Sequence, residues 1–555
     1  MVFYIGVDVG TSSARAAVFD QDGKFYGMGI NQIKIRNPRT DYYEQSSRDI
    51  WSSVCKCINA AIKSANIDPL LINGIGFDAT CSLVSLGSDF QSIQASDDPE
   101  YNITMWMDHR SHVEASLLSK SGNSLLKYTG GSISPEMSIA KVLWMYKNNA
   151  DYHKIKYFIE LPEYLTFKAS NSTKRALCSL VCKWGYNASA GNGWNKEFLS
   201  SIVKESDFAD LFDKFGGFQD GKPDFSRPGE FVGNLTKQAA LEFGYPQLEG
   251  ISVGGAVIDA YAGAIATLAS VQKDFNNMES KMAIICGIQC IIIGTSSCFI
   301  TMTKNESFTN GVWGPYKDVI HEGYYSMEGG QTLTGKAIEV FLSHHPSFSS
   351  FKAYCKENGK NEFEELNSAV ISNSASLQFT AELVSDIHIL PDCHGNRSPI
   401  ANQSIRGMLM GISLIEEGYL PLSLVKYYYA TILSLCYSSR HIIESLKLPI
   451  SDLYLSGGLS KNSLWCQSLA DVTGCNIYLP TVDPDAAVLL GAAMCGAAAS
   501  TGMLNAMTQM SKVGDEIKPN LKTKEFHNLK YEIFLEMYKF EDHVRRKMQK
   551  LNKDP

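Results

Sequence analysis

The sequence lacks any hydrophobic run long enough to cross a bilayer. Its most apolar stretch, AIICGIQCIIIG (283–294), has only about half the residues of a membrane-spanning helix and is typical of a buried strand. The amino-terminal MVFYIGVDVGTSS has no basic leader and contains Asp8. The sequence therefore predicts neither a signal peptide nor a membrane anchor, and we expect a cytoplasmic protein with no membrane partner.

Basic charge is also scarce. The 555 residues include 50 Lys and Arg against 58 Asp and Glu, a net charge of −8, so no basic surface is expected to attract nucleic acid. The 14 cysteines form no paired CxxC motifs, which argues against a zinc site and predicts buried thiols. Charged residues make up 19% and hydrophobic residues 45%, a globular balance, and the length predicts two large domains.

The chain does contain the strands and small-residue turns of an α/β protein. Apolar segments at 2–7, 14–19 and 24–30, separated by turns, predict three antiparallel strands in sequence. Residues 72–77 predict a further strand. Apolar residues at helical spacing predict helices at 51–65, 422–446, 463–473, 485–499 and, at the end of the chain, 531–551.

A partial internal repeat in the sequence predicts that the two halves are related. IIIGTSSCFITMT (291–303) repeats the strand, Gly-Thr-Ser-Ser, strand pattern of IGVDVGTSSARAAVF (5–19). Two such units, one opening each half, indicate two related domains that face a shared cleft. A match this short also arises by chance.

The motif DVGTSSAR (8–15) is the first candidate site. A turn that holds phosphate needs small residues, because backbone N–H groups and hydroxyls must approach the oxygens closely. Asp8, at a strand end, is a candidate Mg²⁺ ligand, and Arg15 a bidentate phosphate ligand. The alternative is an ordinary hairpin turn. The candidate phosphate-binding residues of the turn are Gly10, Thr11, Ser12 and Ser13.

Two further small-residue motifs are candidate nucleotide sites. GTSS (294–297) offers a second phosphate turn through Gly294, Thr295 and Ser296, although no acidic residue precedes it and a plain turn is the alternative. In GGLSKN (457–462), Gly457 and Gly458 would let a flat ring approach the backbone, and Asn462 would bond ribose or base. A helix-capping turn explains this second motif nearly as well.

Asp259 lies in the Gly/Ala-rich segment GGAVIDAYAG, where a carboxylate must be paired or functional. It is a candidate general base for an attacking hydroxyl, and the alternative is the cap of the following helix. MWMDHR (105–110) places Trp106 and Asp108 among groups that bind sugar hydroxyls, although a surface cluster is the commoner explanation. Lys183, within apolar LVCKWGYN, indicates either a placed charge or a snorkelling side chain.

Taken in order, these motifs resemble the FGGY family of carbohydrate kinases from Val2 to about Gln549. Within the family, GFDATCSLV, MWMDHR, VCKWGYN, MEGGQTLTGK and CHGNRSP are similar to the ribulokinase branch. The resemblance implies two actin/hexokinase-like (ribonuclease H-like) α/β domains around a central cleft. We place the sugar-binding domain at 1–262 and the nucleotide-binding domain at 263–555.

The resemblance also implies residue roles. Asp259 would be the general base, Lys183 and Glu328 would hold a ketose, and Ala79 and Asp108 would line its pocket. Gly330 and Gln331 would lie beside ATP. The implied reaction is phosphorylation of a ketopentose, D-ribulose above all, by ATP with Mg²⁺. L-ribulose, xylulose or a polyol are alternative substrates. The oligomeric state is left open, a homodimer among the alternatives.

One departure from the resemblance concerns the second GTSS turn. In similar proteins the strand ending in ICG leads directly into TSSC, whereas here IQCIIIG separates Gly287 from Thr295. Strand residues cannot gain an odd number without reversing faces or forming a bulge. Either the strand is extended or residues 287–293 loop out. A regulatory ATP-binding protein without kinase activity is therefore a rival prediction.

Overall fold

Strands and helices alternate through the first half of the chain. The computed structural model describes residues 1–189, 193–215, 218–219, 222–269, 278, 280–290, 294–414, 417–481 and 483–551. The strands of the first half are β1 (Phe3–Val9), β2 (Ser13–Asp20), β3 (Phe25–Gln32), β4 (Glu44–Gln45), β5 (Ile72–Ala79), β6 (Leu83–Leu86), β7 (Ile103–Thr104), β8 (Tyr157–Glu160), β9 (Arg175–Ala176), β10 (Phe218–Gln219), β11 (Lys222–Pro223), β12 (Phe225–Ser226), β13 (Phe231–Asn234), β14 (Ser252–Gly254) and β15 (Val257–Ile258). Its helices are α1 (Ser47–Ala65), α2 (His112–Ser119), α3 (Ser138–Asn148), α4 (Leu161–Ser170), α5 (Leu177–Lys183), α6 (Lys196–Leu199), α7 (Phe208–Phe215), α8 (Lys237–Glu242) and α9 (Asp259–Ala269).

The second half has longer helices. Its strands are β16 (Lys281–Cys290), β17 (Gly294–Thr303), β18 (Trp313–Lys317), β19 (Tyr325–Gln331), β20 (His388–Leu390), β21 (Met408–Met410), β22 (Asp452–Ser456), β23 (Asn476–Pro480) and β24 (Val513–Ile517). Its helices are α10 (Gly335–Ser343), α11 (Phe348–Glu357), α12 (Glu362–Asn373), α13 (Leu422–Ser445), α14 (Ser463–Thr473), α15 (Ala487–Thr501), α16 (Met503–Met510) and α17 (Lys524–Leu551).

Two mixed sheets with the same strand order form the framework. The first has the order β13-β14-β5-β1-β2-β3, and the second has β24-β23-β22-β16-β17-β19, with β18 added at its edge. In each sheet the first strand pairs antiparallel with the next along the chain and parallel with a later strand. The predicted relation between the two halves is therefore confirmed at the level of topology, and the predicted opening meander is present as β1–β3.

Two helices cross between the sheets. Helix α9 follows the first sheet but packs on β16 of the second, and α15 follows the second sheet but packs on β1 and β5 of the first. A Cβ at Gly76 would lie 2.0 Å from the carbonyl oxygen of Ala492, and one at Gly491 would lie 1.9 Å from that of Ala262. Only glycine permits these contacts, because a Cβ would overlap backbone atoms.

No single boundary in the sequence separates the two structural halves, because these two helices cross between the sheets. The boundary that we placed at 262/263 falls inside α9, and α15 lies on the first sheet although the sequence assigns it to the nucleotide-binding part. The two halves are thus interlocked at their centre. Among the described helices, none is both long and apolar enough to cross a membrane.

The long periodic segments were the most accurately predicted. Helix α14 has the predicted bounds Ser463–Thr473, and α13 begins directly after Pro421 and ends at Ser445, one residue before the predicted end. The carboxyl-terminal helix α17 begins seven residues earlier than predicted, at Lys524 rather than 531.

The strand before the second GTSS motif is extended. β16 continues to Cys290 and pairs with β17, with a bulge between Cys286 and Ile288. The strand is therefore extended, which is the first of the two alternatives given by the sequence, and it also contains a bulge. The predicted turn at 294–297 is wrong, because Gly294–Ser297 belong to β17, whose first residues pair with the added residues of β16.

The glycine contacts of α15 predict a specific cost. Gly76→Ala should lower the free energy of unfolding by about 1–3 kcal/mol, because the new Cβ would overlap the backbone of α15. Urea unfolding measures this. Asn73→Ala, at an exposed position of the same strand, is the control and should change stability by no more than about 0.5 kcal/mol. Equal stability of the two variants would contradict the packing of α15 on β5.

Candidate active site

A cleft between the two sheets has a volume of about 1080 Å³. The first half contributes the β1–β2 turn and part of β3, and the second contributes Ile285 of β16, the end of β22 and the segments that follow β22 and β23. Nine of the predicted residues line the cleft: Asp8, Gly10, Thr11, Ser12, Ser13, Arg15, Asp259, Gly457 and Gly458. The structure thus brings motifs from three distant parts of the chain to one cavity.

The β1–β2 turn is held from outside by two side chains. Thr11 accepts a hydrogen bond through its hydroxyl from the indole N–H of Trp106 (3.1 Å) and through its carbonyl from Gln45 Nε2 (2.9 Å). Within the turn, the Gly10 N–H donates to the Ser13 carbonyl (3.0 Å). These contacts hold a small-residue turn in one conformation at the cleft, as a phosphate site requires.

Asp8 is buried at the floor of the cleft and paired with Arg15. The two residues face each other across the β1–β2 hairpin, and Arg15 donates to Asp8 Oδ2 from Nε (2.8 Å) and from Nη2. Asp8 is 1% exposed, whereas the Arg15 side chain is 29% exposed. The guanidinium therefore compensates the carboxylate and still reaches the cavity.

Asp78 is a buried acid that the sequence analysis did not predict. It lies beside Asp8 in the β1–β5 register, and no N–H or hydroxyl of the described residues donates to its carboxyl oxygens. Burial raises its pKa well above the usual range, and the charge and hydrogen bond of Asp8 raise it further. We interpret Asp78 as a neutral acid that donates to Asp8. An Asp at the carboxyl end of a buried strand, level with Asp8, was the available signal.

Asp259 begins helix α9 and lies where two cavities meet. Its Oδ1 accepts the N–H of the next residue, Ala260 (2.7 Å), whereas a capping side chain accepts the N–H two or three residues further on. It also lines both the cleft and a second, smaller pocket. Burial raises its pKa to about 7, with a further contribution from the charge of Asp8. A carboxyl group with that pKa accepts a proton readily near neutral pH.

The smaller pocket, of about 50 Å³, lies beyond Asp259 and is rich in charge. Its acidic groups are Asp259, Glu136 and Glu328, and its basic groups are Lys183 and Arg397. The remaining lining residues are Thr80, Cys81, Trp106, Ile258, Ala260, Tyr261, Ser296 and Cys298. Such a mixture of donors and acceptors suits a neutral ligand with many hydroxyl groups.

The two cations of the pocket lie against one indole ring. Lys183 Nζ is 4.6 Å from the ring centroid of Trp313, and the Arg397 guanidinium is 4.4 Å from it. Burial alone would lower the pKa of Lys183, but Cys81, Glu136 and Glu328 raise it above its usual value. Both cations are therefore charged and held by cation–π contact and by nearby acids.

Arg397 and Glu136 are pocket residues that the sequence analysis missed. Arg397 donates from Nη2 to Glu328 and from Nη1 to Cys298 Sγ (3.6 Å). Burial would raise the pKa of Glu136, but the charges of Arg397 and Lys183 lower it. Arg397 lies in CHGNRSP, which was recognised only as a motif, and nothing in the pattern around Glu136 marked it.

Comparison with known proteins decides the family. Residues 3–266 match the N-terminal domain, and residues 290–500 the C-terminal domain, of the FGGY family of carbohydrate kinases. The chain belongs to this family. It is a sugar kinase, and FGGY kinases use ATP.

Several known FGGY proteins are similar over most of the chain. An FGGY carbohydrate kinase domain-containing protein of Xenopus laevis is 38% identical, over 97% of this chain and 96% of that protein. The D-ribulokinase of Saccharomyces cerevisiae is 37% identical, over 90% of this chain and 72% of that protein. The fold resembles the crystal structure of a xylulose kinase from Rhodospirillum rubrum, with a TM-score of 0.74, 17% identity and coverage of 97% and 98% of the two chains.

Some predicted FGGY site residues do not face either cavity. The Asp108 carboxylate is fully buried and accepts from Arg110 and from the N–H of Tyr43 (2.7 Å), so its charge is already compensated. Ala79 pairs through its backbone with Val9 and Ile258. Ala79 thereby sets the spacing between the phosphate turn and Asp259.

Three predicted nucleotide residues have structural partners instead. Gln331 Nε2 donates to the Leu435 carbonyl (2.9 Å), and a Cβ at Gly330 would meet Arg397 at 2.8 Å. Asn462 caps α14 through Oδ1 and donates to the Tyr428 hydroxyl (2.8 Å). These contacts match the capping alternative for Asn462, and direct nucleotide contacts of the three residues remain predictions. Ser296 lines the small pocket. Gly294 and Thr295 belong to β17, and their phosphate contacts remain predictions.

The residues at the cleft fit the Mg²⁺ that the FGGY resemblance implies. Mg²⁺ prefers one or two carboxylates and keeps several waters and phosphate oxygens. Asp8 provides such a carboxylate at the cleft floor. Among the described residues, no cluster of three or more potential metal ligands occurs.

The raised pKa of Asp259 predicts a pH-dependent cost to stability. The carboxyl ionises near its ordinary value of 3.8 in the unfolded chain and near 7 in the fold, so raising the pH through this window destabilises the native state. Asp259→Asn should be more stable than the wild type above pH 7, with the difference disappearing near pH 4. Thermal unfolding at several pH values measures it.

Asp89→Asn is the matched control, because Asp89 lies in an exposed turn. It should show no such pH-dependent gain. If Asp259→Asn and the wild type kept a constant difference from pH 4 to 8, the shifted ionisation of Asp259 would be refuted.

Proposed function

We propose that this chain is a D-ribulokinase, which transfers the γ-phosphoryl group of ATP to the terminal hydroxyl of D-ribulose and forms D-ribulose 5-phosphate. The observation that carries the proposal is the position of Asp259, which lies on both the nucleotide-sized cleft and the small charged pocket. The similarity to the yeast D-ribulokinase supports the choice of sugar.

In this proposal the sugar occupies the small pocket. Lys183 and Arg397 donate hydrogen bonds to hydroxyl or keto oxygens, and Glu328 accepts from hydroxyl groups. The pocket is small, about 50 Å³, and adjoins the large cleft at Asp259. Closure of the two halves over bound substrates would exclude water from the reaction.

ATP would lie in the large cleft, with its phosphates over Gly10–Ser13 and Arg15 at their side. Asp259 accepts the proton of the attacking hydroxyl. The hydroxyl oxygen forms a bond to the γ-phosphorus as the bond to the β–γ bridging oxygen breaks, and ADP leaves. Mg²⁺, held by Asp8 directly or through water, would supply positive charge that offsets the charge of the phosphates.

The Asp259 carboxylate should be required for normal kcat. Asp259→Ala should lower kcat with D-ribulose by roughly a hundredfold or more, because a positioned base contributes about that much. ATP affinity should change little, since the phosphate turn is untouched. Coupled ADP release measures kcat, and nucleotide titration measures affinity.

Asp89→Ala, at the exposed turn, is the control for loss of one acid. In the wild type, kcat/KM should fall about tenfold per pH unit below pH 7, where Asp259 takes up a proton. The residual activity of Asp259→Ala should not show this pH dependence. Near-normal turnover of that variant would remove Asp259 from the mechanism.

A panel of sugars tests the substrate. With D-ribulose, L-ribulose, D-xylulose and glycerol in parallel, we expect the highest kcat/KM with D-ribulose. The two acids and two cations beside Asp259 balance most of their charge, which favours a neutral polyol over an anion. Highest turnover on another sugar would reassign the substrate within the kinase function.

The extension of β16 favours one competing function, a regulatory ATP-binding protein. The added hairpin length lies beside Ser296 and Ser297 at the edge of the site. ATP binding without stimulation of ADP release by any of the four compounds would support this alternative over the kinase.

A further inference from the structure

Arg397 reaches the small pocket from the loop 391–399 between β20 and β21. Its guanidinium lies on Trp313 and bonds Glu328 and Cys298, and its side chain is 19% exposed. A guanidinium carries five N–H groups, and these two bonds leave others for an oxygen-rich ligand in the pocket. The position of Arg397 therefore controls both Glu328 and the hydrogen bonds available to a sugar.

The loop is attached to the second half at its pocket-facing side. Ser398 Oγ donates to the Gly311 carbonyl (2.6 Å), two residues before Trp313, and Thr332 Oγ1 donates to the Gly395 carbonyl (3.1 Å). Gly330 leaves the space in which the Arg397 side chain lies. These contacts belong to the part of the chain that matches the FGGY C-terminal domain.

A further attachment comes from outside that matched region. Tyr538 of helix α17 donates its hydroxyl hydrogen bond to Asp392 and accepts one from Asn396 Nδ2 (3.1 Å). Asn396 also bonds the Asp392 carboxylate (3.3 Å) and accepts the N–H of Ile400 (2.9 Å). Tyr538 is 7% exposed and Asn396 2% exposed, so the network is shielded from water. Asn396 is the immediate neighbour of Arg397.

The chemistry of this network makes it sensitive to one hydroxyl. Burial raises the pKa of Asp392, and the hydrogen bonds from Tyr538 and Asn396 offset part of that rise, so that the pKa is about 6. Without the Tyr538 hydroxyl, the buried carboxylate loses a donor and Asn396 loses an acceptor. A buried polar group that loses its partner destabilises the arrangement that buries it, so the loop is expected to rearrange.

We infer that Arg397 is a sugar-binding residue and that Tyr538, on the carboxyl-terminal helix, is its positioning residue, acting through Asp392 and Asn396. The inference rests on the proposed sugar-kinase function of the small pocket. It assigns α17 a role in sugar recognition, although the helix lies beyond the matched FGGY domains.

A double-mutant cycle tests the inference. Tyr538→Phe removes one hydroxyl, and Arg397→Lys keeps the charge but removes the planar fork. Each single change should raise KM for D-ribulose about tenfold, the factor that corresponds to about 1.4 kcal/mol. KM for ATP should stay within about twofold. The double variant should resemble Arg397→Lys alone, because Tyr538 acts through Arg397.

Tyr531→Phe is the matched control. Tyr531 is a buried tyrosine on the same helix, and its ring contacts Arg440 rather than the loop. Its KM values should match the wild type. Asp392→Asn provides a second, nearly isosteric change in the network and should reproduce the effect of Tyr538→Phe.

Additive effects of Tyr538→Phe and Arg397→Lys would overturn the inference. So would a parallel rise in KM for ATP, or an equal effect of Tyr531→Phe, since either would indicate general loosening of the fold. Wild-type turnover is measured first, because absence of sugar-dependent turnover contradicts the proposed function. In that case the same cycle is read by the shift in Tm that D-ribulose causes, and non-additive loss of that shift supports the inference.

Discussion

The close packing of α15 on the strands β1 and β5 is the constraint on which the site depends. Glycines on the strands and small residues on the helix let the backbones touch, and α9 packs on α15 in the same way. Because α15 arrives from the second half and α9 leaves the first, the same contact fixes the two sheets relative to each other. The carboxyl ends of β1, β5 and β15 then meet at the cleft, and Asp259 follows directly from β15.

This convergence explains the electrostatics of the site. Asp8, Asp78 and Asp259 come from three separate segments, and the fold holds them close together, with Arg15 paired to Asp8. Burial first, and the nearby charge of Asp8 second, raise the pKa of Asp78 strongly and that of Asp259 to about 7. The small pocket has the opposite arrangement, in which Lys183 and Arg397 face acids and share one indole ring. Proton acceptance and sugar recognition thus occupy adjacent but electrostatically different environments.

The candidate site could be predicted from the sequence where its residues lie together in a short motif. The turn Gly10–Ser13, the glycines at 457–458 and Asp259 are local patterns, and all of them line the large cleft. Asp108 and Gln331 were assigned by resemblance, and their side chains bond Arg110 and helix α13 instead. Glu136 and Arg397 were missed because each is a single charged residue in a loop, and its neighbours in the pocket are about thirty positions away or further in the sequence. Only the folded chain shows which loop side chains share a cavity.

The amino-acid sequence by itself determined the α/β class, the opening meander, the long helices and the family, because these depend on local periodicity and contiguous motifs. The tertiary structure decided where the chain exchanges helices between halves, which strand carries the second GTSS motif and which charges meet in the small pocket. Those features depend on backbone approaches and strand register between distant segments. The energy of a contact between distant residues is set by their three-dimensional separation, and no local pattern encodes that distance.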